Sequence, residues 1–91
     1  MSHTQREKTK LLARIRRIRG QVEALEQALA SERGCAEVLQ QIAAVRGAIN
    51  GLMAEVMEDH IEGHLLPAED DAQRRRSADE LIEVVRTYLL R

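Results

Sequence analysis

Leu11, Ile15, Ile18, Val22, Leu25 and Leu29 recur at alternating steps of four and three, a heptad seam that predicts a helix over residues 4–30. Thr4 with Glu7 three positions later predicts a capping box at its start. Gly20 falls inside the pattern at a cost of about 1 kcal/mol relative to alanine, so packing overrides it or the helix bends there. Residues 31–34 break the pattern, with Gly34 expected to supply the turn at low steric cost. Val38, Ile42, Val45, Ile49, Leu52 and Val56 then repeat the same spacing through a stretch free of proline, predicting a second helix that begins near residues 32–35 and ends before Pro67. Gly47 and Gly51 sit four apart in its middle, either as two tolerated weak points or as the place where two helix backbones cross closely. A second apolar line through Leu39, Ala43, Met53 and Met57 means that this helix buries more than one face. One short partner helix does not cover both, so another subunit is expected to.

Residues 66–76 read as a polar loop. Ser77 with Glu80 forms a second capping-box pattern ahead of Leu81, Ile82, Val84, Val85, Tyr88 and Leu89, predicting a third helix over residues 78–90. The expectation is a single all-α domain over residues 1–91, with residues 1–5 as a flexible N-terminal arm. Composition agrees: 91 residues, 32% of them charged, with one proline and one aromatic, suit long helices and not a sheet. No apolar run approaches the roughly 20 residues needed to cross a bilayer, and the basic N-terminus lacks a signal-peptide core, so a cytoplasmic protein is expected. The lone Cys35 has no internal disulfide partner, which fits a reducing compartment.

The formal net charge is only -1, but it is unevenly spread. Arg6, Lys8, Lys10, Arg14, Arg16, Arg17 and Arg19 crowd the first twenty residues against Glu7 alone, and an acidic stretch runs from residue 55 to residue 71 without a single Lys or Arg. A basic end suggests a polyanion, and an acidic region around histidines suggests a cation. Lys10, Arg14 and Arg17 line one side of the first helix, either as a solvated charged face or as a phosphate-binding surface. Arg46 stands alone among apolar and small residues and needs a carboxylate or an external anion. The near-absence of aromatics excludes a stacking platform for single strands. No phosphate-binding glycine loop, HExxH or Ser/His/Asp arrangement is present, and the expectation is that the chain is not an enzyme.

His60 and His64, four apart, share one helix face, a spacing suited to two imidazoles on one metal ion. Cys35 opens the same helix, where the dipole stabilises an anion, and lies roughly 37 Å from His60 along a continuous helix. One ion does not bridge that gap within one chain. Two such helices packed antiparallel place Cys35 of one chain beside His60 and His64 of the other. His3 adds a third imidazole near the N-terminus, and the α-amine of Ser2 becomes available if Met1 is removed.

The runs RIRRIRGQVEAL at residues 14–25 and LQQIAAVRGAINGLMAEV at residues 39–56, with Cys35, His60 and His64, resemble the copper-sensitive operon repressor and nickel/cobalt efflux repressor family of small all-helical bacterial transcription regulators. The resemblance covers nearly the whole chain and weakens in the loop. It implies antiparallel helical dimers that pair into a tetramer, with a sensor site between protomers. It also implies a repressor bound to double-stranded operator DNA through Arg14 and Arg17, with Arg46 on the same face and Lys10 added from the charged side of the first helix, and released when the ligand binds. Copper(I) sensors of the family carry a second cysteine where this chain has His64, and persulfide sensors need two cysteines. The set His3, Cys35, His60 and His64, with the Ser2 amine, is similar to the nickel/cobalt sensors, and it would accept Zn(II) as well. Gly63 departs from that branch, which often carries an acidic residue directly before the last histidine. The formaldehyde-sensing branch is the alternative. It joins the cysteine to an N-terminal proline amine, in whose place this chain has Ser2.

Overall fold

The computed structural model describes residues 2–89, and side chains over residues 7–89. Every regular element among them is helical: α1 spans Ser2–Ala30, α2 spans Cys35–His60, and α3 spans Asp71–Val84. A π-helical turn, Ile61–Leu65, continues α2, and another, Val85–Leu89, continues α3. The chain divides into two compact units, one running to Ala54 and the other beginning at Glu55.

In the first unit α1 passes unbroken through Gly20, so the weak helix former neither ends nor divides it. It starts at Ser2, two residues ahead of the expected Thr4, and the backbone of residues 2–5, expected as a flexible arm, is helical. The turn after it corrects the sequence expectation. Glu32, and not Gly34, takes the left-handed conformation, with φ 55°. The amide of Arg33 donates to the Ala28 carbonyl at 3.0 Å and that of Glu32 to the Leu29 carbonyl at 3.1 Å, the paired bonds of a Schellman motif. Gly34 instead opens α2: its carbonyl accepts from the amides of Glu37 at 3.0 Å and Val38 at 3.1 Å. An ion pair between Arg33 and Glu37 spans the same junction. Arg14 and Gly51 lie equally far from this turn and touch, so α1 and α2 run as an antiparallel hairpin.

The seam divides in two. Ile18 is 7% exposed and Leu11 and Leu25 are half-buried, whereas Ile15, Val22 and Leu29 stay exposed, Leu29 at 61%. In α2, Val38, Val45 and Leu52 are half-buried while Ile42, Ile49 and Val56 are exposed. One side of each apolar stripe is sheltered and the other is left bare. Among the described residues no large side chain is fully buried, a thin core for a chain of this size.

In the second unit α3 begins at Asp71, not at residue 78, and the loop shrinks to residues 66–70. The cause is a cap at Asp70 that the sequence reading did not consider. Asp70, in extended conformation, accepts from the Gln73 amide at 2.8 Å, and the Gln73 side chain accepts in return from the Glu69 amide at 2.9 Å. Arg74 pairs with Asp71 at 2.9 Å and donates to the Ala68 carbonyl at 2.9 Å, and Arg75 pairs with Asp79 at 3.0 Å. The arginine run read as loop therefore belongs to the opening turns of α3. Ser77, expected as a cap, is a mid-helix residue, buried at 7% exposure.

A non-glycine residue held at positive φ carries a strain of about 1 kcal/mol that glycine lacks. Glu32→Gly should therefore raise stability by up to about 1 kcal/mol, a gain of a few degrees in Tm by calorimetry. An unchanged or lower Tm would contradict the strained-turn assignment.

Candidate metal centre

α2 ends on His60, and the π-helical turn that follows carries His64. Their ring centroids are 5.4 Å apart with the planes inclined at 43°. The shared face expected from the spacing of four thus persists across the change of helix type. Nε2 of His60 lies 2.8 Å from the main-chain carbonyl oxygen of Ser77. A carbonyl only accepts, so Nε2 is the donor, and in the neutral ring the lone pair is on Nδ1. The Glu80 carboxylate is 3.9 Å from the same nitrogen, too far to compete with that bond, and its own side chain is largely exposed. Ser77 makes a second link, its hydroxyl donating to the His64 carbonyl at 3.3 Å. His60 is partly buried by these contacts, whereas His64 is exposed beside an open cleft of about 230 Å³ lined by Gly63, Pro67, Glu69, Gln73 and Ser77.

Cys35 occupies the first position of α2, exposed, at the opposite end of the helix from His60. Among the described residues no three His, Cys, Asp or Glu side chains of one chain gather closely enough to hold an ion. The side chains of His3 and Ser2 lie outside the described residues. One chain therefore assembles the two histidines and leaves the thiol apart from them. The chemistry of the set fits a borderline metal ion: an imidazole with a free Nδ1, a second imidazole one turn away, and an exposed sulfur.

Sequence reasoning missed Ser77 and Glu80 as neighbours of His60 because it gave both to a helix cap. With α3 starting at Asp71, Ser77, Leu81 and Val84 fall at helical spacing on one face, and that spacing was the available signal. Asp59, next to His60, was also passed over, and its Oδ2 is buried without a hydrogen-bond partner among the described residues.

On α1, Lys10 and Arg17 are exposed and Arg14 is partly buried, and on α2 Arg46 is exposed. Arg14 rests on Gly51, where a Cβ would stand 2.8 Å from Nη1. The space around Gly47 is open to 4 Å. Within this chain, then, the glycine pair does not mark a crossing of two backbones. Gly51 seats the tip of an arginine, and a Cβ on Gly47 would meet nothing within 4 Å among the described residues.

The family described as metal-sensitive transcriptional repressor matches residues 7–87 of the chain. The chain is 57% identical over 90 residues to an uncharacterized protein in the bioA 5′ region of Serratia marcescens, covering 98% of this chain and 99% of that one. It is 48% identical over 89 residues to the transcriptional repressor RcnR of Salmonella typhimurium, again covering 98% and 99%. Among solved structures, a glutamate-to-histidine variant of the formaldehyde-responsive regulator FrmR from Salmonella enterica serovar Typhimurium superposes with a TM-score of 0.84. That protein is 51% identical, and the match covers 91% of this chain and 94% of the other.

Proposed function

The chain belongs to the metal-sensitive transcriptional repressor family, a family of regulators and not of enzymes, and we propose that it is a cytoplasmic repressor whose grip on operator DNA is released by Ni(II) or Co(II), freeing a metal-efflux gene. The observation that carries this reading is the His60–His64 pair, with Nε2 of His60 committed to Ser77 and Nδ1 left over. Cys35 completes the donor set from a neighbouring subunit, and His3 with the Ser2 amine extends it. One thiolate among several nitrogens suits Ni(II) or Co(II) over Cu(I), with Zn(II) as a competitor.

The subunits pair antiparallel through the bare half of the apolar seam, which includes Ile15, Val22, Ile42 and Ile49. This brings the first residue of one α2 to the last residue of the other, and two such dimers form the tetramer. Lys10, Arg14, Arg17 and Arg46 supply phosphate contacts on double-stranded DNA, enlarged by repetition across subunits. Gly51 leaves room for the guanidinium of Arg14. No helix among the described residues is long and apolar enough to cross a membrane.

A second reading has its own support. The solved relative is formaldehyde-responsive, and Cys35 is exposed at a helix start. In that reading Cys35 and the N-terminal amine trap formaldehyde and a detoxification operon is released. It leaves the histidine pair without a task and puts Ser2 where the resemblance calls for a proline amine.

DNA flanking the chain's own gene, bound to reduced protein, is the direct test. Ni(II) or Co(II) should release it and formaldehyde should not, while Cys35→Ala abolishes both the release and the thiolate-to-Co(II) charge-transfer absorption. Release by formaldehyde alone would replace the first reading with the second. For the DNA face, Arg14→Ala and Arg17→Ala should each weaken operator binding and reduce the slope of log K against log salt by about 1 per lost contact. Unchanged affinity and slope would remove those residues from the interface.

A further inference from the structure

We propose that Ser77 is the positioning residue of the sensor site, holding both histidines from α3 by one bond to each. The inference rests on the reading that His60 and His64 bind the ligand, and it deepens that reading by saying what sets their geometry. The first bond acts on a ring: the Ser77 carbonyl accepts from His60 Nε2 at 2.8 Å, which fixes the tautomer and turns Nδ1 outward. The second acts on the main chain: the Ser77 hydroxyl donates to the His64 carbonyl at 3.3 Å.

That second bond answers a need created by the sequence. In an unbroken α-helix the His64 carbonyl receives the amide of Ala68. Here that amide turns to the Leu65 carbonyl at 3.3 Å, Leu66 donates to Ile61 at 2.8 Å in the π-helical pattern, and Pro67 has no amide to give. The buried hydroxyl of Ser77 takes up the place left by the missing amide. With the ring of one histidine and the backbone of the other tied to the same residue, the 5.4 Å separation of the imidazoles is set from α3 and not by α2 alone. A helix joined to both ligands through one buried residue moves when they move.

Thr and Val are near-isosteric and differ in the hydroxyl, and the open cleft beside Ser77 has room for the added methyl. Reduced parent, Ser77→Thr and Ser77→Val proteins are titrated with Co(II), following the ligand-field and charge-transfer bands, with circular dichroism as the check on folding. Ser77→Val should lose about 10- to 100-fold in Co(II) affinity with an altered ligand-field envelope, as outer-shell partners of a metal ligand do. Ser77→Thr should keep parental affinity and spectrum, and metal-free DNA binding should be unchanged in both. If Ser77→Val loses helicity, Ser77→Ala takes its place in the same comparison. Equal affinities and spectra for the parent, Thr and Val proteins would overturn the proposal while leaving the metal reading intact. A parent protein with no Co(II) spectrum would overturn the metal reading. In that case the nitrogen-15 shifts of His60 still report the first bond, whose main-chain carbonyl all three proteins keep: a uniform Nε2–H tautomer throughout supports the hold of Ser77 on the ring, and a mixture of tautomers in the parent removes it.

Discussion

Between Cys35 and His60 runs one uninterrupted helix, α2, and its length constrains everything else about the site. At about 1.5 Å per residue, no choice of side-chain rotamer brings a sulfur at the first position to an imidazole at the last. A ligand shared by the two needs a second chain. The same helix leaves the exposed half of its apolar stripe, Ile42, Ile49 and Val56, without cover. The proposed antiparallel pairing of two copies would meet the chemical demand and the hydrophobic demand by the same act. In the proposed reading, burial at about 25 cal/mol per Å² of apolar surface drives that pairing, and the sensor site forms at its two ends as a consequence.

The second unit holds the histidine pair of the proposed site. His60 ends α2 and His64 follows in a π-helical turn, a backbone change that frees carbonyls an α-helix would consume. Ser77 binds at this point, and Glu80 stands near the same ring. The arrangement explains why α3 starts early. The cap formed by Asp70 and Gln73 begins the helix at Asp71, soon after Pro67, so that its second turn lies against the histidines.

Much of this was legible in the residues. The apolar spacing of α1 and α2 gave both helices within a few positions, because long periodic stripes are strong signals. Histidines four apart gave the pair. The errors came where several local rules competed. Glu32 takes the left-handed position because the Schellman bonds to Ala28 and Leu29 fix it there, and a rule that prefers glycine chose Gly34, two positions later. Asp70 with Gln73 and Ser77 with Glu80 are capping signals of the same type, and only the packed structure says that the first begins the helix and the second lies inside it. The partners of His60 were hidden for that reason. Their role comes from burial and from contacts across 13 and 17 residues of chain, which no local pattern encodes.

The central claim, a site made from the sulfur of one subunit and the imidazoles of another, is tested most directly by subunit mixing. Cys35→Ala protein and His60→Ala/His64→Ala protein each lack an intact site and should show no parental Co(II) charge-transfer band. After equal amounts are allowed to exchange subunits, about a quarter of the parental intensity should return, since roughly half the dimers are mixed and each mixed antiparallel dimer holds one complete site of two. No recovery after demonstrated exchange would mean that the two subunits do not share a site, and the account would be wrong.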